Sequence, residues 1–300
     1  MKPKVLLSLL LAFVTATIFA QSDSTSNWTR SGSAALNFSN VGLSNWAGGG
    51  ESTIAIGTVV NLNADRETEK STWTNNFKLQ FGMARVGESG TNLFKKTDDL
   101  VTLSTNYGYK ISEKWSFSAI GEFRTQLANG NTYFRDPVTN EEEVAQVISQ
   151  FMAPGYFQTS LGFQYKNKFL TASFSPFASK FTFVFQDSLS NAGAFGVEEG
   201  ENIRAEWAGA AFNGKFKISP AENMQFESTL GLFMNYETPT LIDVNWETLL
   251  ALKVNKYITT NFGTTLLYDH DVAITDEDGN SVNSKIQFRH VLNVGVSVNF

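Results

Sequence analysis

From Trp73 to the last residue the chain repeats one pattern, an aromatic or branched apolar residue at every second position with small or polar residues between. Trp73, Phe77, Leu79, Phe81 and Met83 share one face of an extended segment with Asn75, while Lys78, Gln80 and Gly82 point the other way. The series Val101, Leu103, Thr105, Tyr107, Tyr109 repeats the pattern, as does Ile286, Phe288, Leu292, Val294, Val296, Val298, Phe300. A period of two is the pleat of a strand with one apolar face. Twelve strands are expected, near 28–41, 50–62, 72–86, 100–110, 115–127, 156–165, 169–185, 205–218, 224–236, 244–254, 258–269 and 285–300. The segment 205–218 fits worst, because Trp207 and Phe212 fall on opposite faces. Pro176 cannot donate to a ladder and is expected to bulge the seventh strand.

The connections decide between a sandwich and a closed barrel. Short turns at 110–114, 166–168, 219–223 and 255–257 alternate with long segments near 87–99, 128–155, 186–204 and 270–284. A sandwich has no reason for that rule. An outer-membrane barrel with both termini in the periplasm has tight inner turns, long outer loops and an even strand number. Trp73, Tyr109, Trp115, Tyr165 and Tyr257 cluster at the short-turn end and Tyr156, Tyr236, Trp246 and Tyr268 at the other, where two interfacial belts are expected. The fold expected is therefore all-β, a transmembrane antiparallel up-and-down barrel of about 12 strands.

The amino terminus, residues 1–20, carries Lys2 and Lys4, an apolar run from Val5 to Phe19 and a small residue at Ala20. It is expected to be a signal peptide for Sec export, leaving 21–300 as a single barrel domain in the outer membrane of a Gram-negative bacterium. Without Lys2 and Lys4 the chain keeps 21 basic against 29 acidic residues, net −8, which argues against nucleic acid as a partner. There is no cysteine, so neither disulfides nor thiolate metal sites contribute. Expected partners are outer-membrane lipids, the barrel-assembly machinery during insertion, and an unidentified small solute or protein.

The stretches NWAGGGES at 45–52, KKTDDL at 95–100, FRTQL at 123–127, APGY at 153–156, SPF at 175–177, DVNWE at 243–247 and YDHDV at 268–272 resemble an uncharacterised family of Bacteroidota outer-membrane barrels, a domain of unknown function. The terminal NVGVSVNF, ending in Phe300, is similar to the signal by which barrels are recognised for insertion. The resemblance implies a location and a fold, and no catalytic residue.

If the apolar faces meet lipid, the opposite faces line a lumen holding Lys78, Glu122, Arg124, Glu227, Glu247, Lys253, Asp269 and Arg289. Four acids against four bases are expected to form an internal ion-pair network, or else a selectivity lining. Arg124 is expected to hold carboxylates across the bore among Glu122, Gln126, Glu247 and Asp269. Within 128–155, residues 139–151 read as a helix capped by Thr139 and Glu142, with Val144, Val147, Ile148 and Phe151 as its apolar stripe.

Enzymatic alternatives are thin. Only His270 and His290 exist; His290 is expected on the lipid face, where a lipid hydrolase would want a base, yet no nucleophile motif lies near it. Asp276, Asp278 and Asn280 imitate half of a calcium loop whose late glutamate is missing, so no metal or other cofactor is expected. The loop Asn45, Trp46, Gly48, Gly49 and Gly50 lacks the lysine and hydroxyl that a phosphate loop requires, and is expected to be a tight connection or plug at the mouth. The sequence thus points to a channel or transport barrel for small solutes, with a closed structural or interaction barrel as the alternative and a lipid hydrolase as a third.

Overall fold

The computed structural model describes residues 27–41, 53–87, 93–139, 142–275, 281–283 and 285–300. Residues 1–20, the 45–50 loop motif and the Asp276–Asn280 segment lie outside the described residues. Twelve strands form one closed ring. In chain order they are β1 (Trp28–Val41), β2 (Thr53–Glu67), β3 (Ser71–Val86), β4 (Lys95–Lys110), β5 (Trp115–Thr125), β8 (Gly155–Lys166), β9 (Leu170–Phe183), β10 (Ile203–Ala221), β11 (Met224–Asn235), β12 (Ile242–Lys253), β13 (Ile258–Tyr268) and β16 (Gln287–Asn299). Every neighbouring pair is antiparallel, and chain-consecutive barrel strands lie side by side.

The ring closes where β1 meets β16, Ser33 opposite Asn299. Gly32 and Phe300 exchange both backbone hydrogen bonds at 2.7 and 2.9 Å, which ties the last residue into the seam. A Cβ on Gly32 would collide with the Phe300 ring, so glycine at this position lets the terminal aromatic lie on the wall.

Two further pairs of strands stand outside the ring. β6 (Gly130–Arg135) and β7 (Glu142–Ser149) form a hairpin within the 128–155 connection, and β14 (Ala273–Thr275) pairs with β15 (Ser281–Asn283). Within the segment 139–151 expected as a helix, Glu142–Ser149 is therefore a strand. Its branched residues Val144, Val147 and Ile148 suit the pleat, and contacts far in sequence fix it: Tyr133 opposes Val144, Lys95 Nζ lies 2.6 Å from Glu142 Oε1, and Ser149 Oγ donates to Gln126 Oε1 at 2.8 Å. Tertiary partners outweighed the local capping signal.

Short turns at 68–70, 111–114, 167–169, 222–223 and 254–257 gather at one end, with Trp28 and Phe300. The longer connections gather at the other. Outside the ring, Tyr109, Trp115 and Tyr257 are about half exposed at the short-turn end, and Trp115 packs on Tyr165 at 5.2 Å.

Two bulges settle the ambiguous segment. The register slips in β9 around Pro176 and Phe177, and in β10 between Glu206 and Gly209. The extra residue in β10 reverses the alternation, so Trp207 and Phe212 both face outward.

Candidate functional site

Lys78 on β3 and Glu247 on β12 meet at 3.3 Å although five strand-to-strand steps separate them around the ring. Such a contact can only cross the interior, so these two side chains mark the lumen face. Paired residues share a face in an antiparallel sheet, and the register carries that face around the wall to Thr102, Arg124, Tyr156, Thr182, Arg204, Thr229, Thr265 and Arg289. All eight of the expected charged residues face inward.

They do not form one balanced network among themselves. Of the eight, only Lys78 and Glu247 pair with each other. Arg289 Nη2 instead reaches Asp98 Oδ2 at 2.5 Å, from β16 across to β4. Glu227 is held locally by Lys215 at 2.6 Å and Lys217 at 4.0 Å. Lys253 is exposed at the short-turn rim. Arg124 has no ion pair within 4 Å among the described residues; its guanidinium lies over the Tyr156 ring, 5.2 Å from the centroid, and shares a cavity of about 40 Å³ with Glu122, Tyr156, Gln158 and Lys180. The expected carboxylate clamp is not made, because Asp269 is taken by Lys180 and Glu247 by Lys78. Tyr156, expected in the outer belt, is a lumen residue, since it stands opposite inward-facing Arg124.

The densest part of the site was not foreseen. Lys180 Nζ donates to Asp243 Oδ2 at 2.6 Å and Asp269 Oδ2 at 2.9 Å, with Glu206 Oε2 at 3.9 Å. Glu206 continues the chain to Arg204 at 3.6 Å, and Arg204 to Asp271 at 2.8 Å. Asn235 donates to Glu206 Oε1 at 3.1 Å, and the Tyr156 and Phe233 rings flank the Lys180 ammonium at 5.9 and 5.8 Å. The Lys180 and Glu206 side chains are only 10% and 7% exposed, so their charges are compensated by pairing and not by bulk water. Sequence alternation could have found Lys180 and Glu206 only if both bulges had been placed first. Asp243 and Asp271 stood in the quoted motifs without a partner to give them a role.

A strap of chain covers this cluster. Residues 184–202 contain a one-turn helix, α1 (Asp187–Ser190), whose amino end is capped by the Gln186 side chain. Val184, Leu189 and Val197 bury themselves against Ala153, and Phe185 N donates to Met152 O at 2.9 Å. Near the start of β10, Arg204 donates to Gly196 O of the strap at 3.2 Å while pairing with Asp271, just beyond β13. Gly196 has φ +81°, and a Cβ there would strike Arg204 and Asp271 at 2.6 and 2.8 Å, so this contact requires glycine.

The lumen face changes character along its length. Toward the loops, Lys180, Thr182 and Glu206 are buried, whereas nearer the short turns Leu249 and Lys215 are exposed although both face inward. Six buried polar atoms lack a protein partner among the described residues: the Oδ1 atoms of Asn37, Asp65, Asn106 and Asn245 and the Oγ atoms of Ser118 and Ser175. All six residues sit at inward positions by register.

Fold and site together define a closed antiparallel barrel with a polar inward face, crossed toward its loop end by ion pairs. Residues 38–131 match a family model described as "Protein of unknown function (DUF3078)". Among solved structures the chain is similar to the NanC porin, at 12% identity over 89% of this chain and 98% of that one with a TM-score of 0.38. It is also similar to the translocator domain of the autotransporter NalP from Neisseria meningitidis (11% identity, 99% and 96% coverage, TM-score 0.36) and to OmpT, an outer membrane protein of Vibrio cholerae (7%, 94% and 98%, 0.27). A search of curated proteins returned no match.

Proposed function

We propose that the chain spans the outer membrane as a narrow channel for small polar solutes, with a weak preference for cations and a constriction in the loop-side half of the bore. The observation that carries this reading is the pair of bridges across the interior, Lys78–Glu247 and Arg289–Asp98, set above an exposed polar lumen face. Side chains from facing walls meet there, so the free width is small, and each bridge leaves room only for small permeants beside it. The preference follows from the count of charges in this zone. Asp98, Glu122, Glu206, Asp243, Glu247, Asp269 and Asp271 outnumber Lys78, Arg124, Lys180, Arg204 and Arg289.

The membrane part of the proposal rests on the outside of the ring. Leu103, Tyr107, Phe117, Leu161, Phe174, Trp246, Leu292 and Val296 are all outward and exposed, an apolar surface that water would not tolerate over a whole wall. In lipid, the closed ladder leaves no unpaired strand edge. No catalytic role is assigned. His290 also faces outward, its ring 6.2 Å from Phe288.

The test is reconstitution of the folded protein into vesicles and planar bilayers. Flotation with vesicles and small, steady openings are expected. Flotation with a silent bilayer would leave a structural barrel in place of the channel.

A further inference from the structure

One cavity among the described residues lies outside the bore. It is a groove of about 700 Å³ on the outward face, lined among others by Thr105, Gly121, Thr159, Ser179, Trp207 and Tyr236. Its floor follows from the register. Thr105 stands opposite Gly121, Gly121 opposite Thr159, and Thr159 opposite Ser179, on β4, β5, β8 and β9. Four small residues thus fall in one line across strands whose other outward positions are mostly large. The next outward row toward the loops is Leu103, Phe123, Phe157 and Phe181, also in register. On the other side stand Tyr107, Leu161 and Phe177.

Trp73 closes one end, its ring 6.4 Å from Tyr107. Trp207, raised by the β10 bulge and packed edge-on to Phe181 at 5.0 Å, closes the other beside Tyr236. The polar groups at the rim are turned into the protein: Trp73 Nε1 donates to Thr105 Oγ1 and Thr105 Oγ1 to Asn75 Oδ1, both at 2.8 Å, while Ser179 Oγ donates to Trp207 O and the Tyr236 hydroxyl to Pro176 O, both at 2.6 Å. What remains to a ligand is mostly hydrocarbon surface.

We propose that this groove is a binding site for one acyl chain of a membrane phospholipid, an inference that rests on the membrane-spanning reading above. Strands lie about 4.8 Å apart, so the floor from β4 to the wall at β10 runs roughly 19 Å. That is comparable to the hydrocarbon depth of one leaflet, about half of ~30 Å. A row perpendicular to tilted strands crosses the membrane obliquely, as a chain anchored at one interface would. The groove follows the one row of small residues, with Ala119 from the next row, whereas a second copy of the barrel would need a complementary face of roughly 800 Å² a side. Its two closing aromatics give a single chain a defined length and end.

The test is lipid retention. The protein, reconstituted in phosphatidylethanolamine vesicles with palmitoyl chains, is extracted into mild detergent, washed, and assayed for bound phospholipid. Wild type is expected to keep about one lipid per chain. Thr159→Phe, which fills the floor, is expected to lower retention at least fivefold while still floating with vesicles and showing the folded gel mobility. Gly121→Val is a second filling variant, since a Cβ at Gly121 meets only a Thr105 methyl at 3.4 Å. Equal retention in the filled variants, or none in a wild type that floats, overturns the acyl-chain site and leaves the membrane reading standing. A dimer in wild type that becomes monomeric on filling assigns the groove to a second copy and overturns the proposal. A wild-type chain that does not float overturns both readings.

Discussion

Lys78 and Glu247 join opposite walls of the barrel at 3.3 Å, each side chain about one-third exposed or less. The bridge sits near the middle of both strands, below the more buried cluster around Lys180. Partial exposure screens the pair, so its contribution to stability is expected to be at most about 1 kcal/mol. Its contribution to the bore is steric and electrostatic. Lys78→Ala is expected to leave the melting temperature nearly unchanged, while single-channel conductance rises and selectivity shifts toward cations. A large loss of stability without a change in conductance would show that the pair is a structural brace.

Lys180 is different in kind. Its ammonium is the shared partner of Asp243, Asp269 and Glu206, and its removal leaves three carboxylates facing each other in a poorly hydrated space. Lys180→Ala is expected to cost about 3–5 kcal/mol, the range for breaking a buried pair from one side, read as a lower temperature for loss of the folded gel mobility. Adding Asp243→Asn should restore part of the loss, because one unpaired charge is removed. Additive losses in the double variant would contradict the pairing.

The seam makes a separate prediction. The Phe300 ring occupies the space a Cβ would take on Gly32. Gly32→Val and deletion of Phe300 are each expected to reduce the fraction of chain reaching the folded form in the membrane. Phe300→Tyr, which keeps the ring, should assemble normally. Full assembly of Gly32→Val would remove the packing argument for the terminus.

The strap over the mouth is pinned at Gly196, where Arg204 and Asp271 leave no space for a side chain. Gly196→Val is expected to release residues 184–202 and make them cleavable by added protease in the folded barrel, with little change in melting temperature. Unchanged protease resistance would mean that the buried Val184, Leu189 and Val197 hold the strap alone.

Much of this architecture was legible because alternation is a local signal. The apolar face of each strand and the short-turn end follow from residues a few positions apart. Where the local signal failed, something distant decided. Trp207 and Phe212 looked inconsistent until the bulge between Glu206 and Gly209 reversed the count. Residues 142–149 carry a helical cap but pair as a strand because β6, Lys95 and Gln126 lie against them. The register turns the expected lumen residues inward, yet their partners were not deducible. Which acid Lys78 meets depends on the ring's closure, and Arg124 lost its carboxylates to Lys180 and Lys78, whose reach no spacing rule describes. The outward groove was hidden for the same reason, since its four small residues are adjacent only through the register.

The constricted bore is tested most directly by the reversal potential of the reconstituted wild-type protein in a salt gradient, measured beside Lys78→Ala and Arg289→Ala. Small steady openings with weak cation preference are expected in the wild type, and a further shift toward cations in both variants as Glu247 and Asp98 lose their partners. A bilayer that stays silent for all three proteins, or a potential that neither substitution moves, would contradict a bore constricted by these bridges.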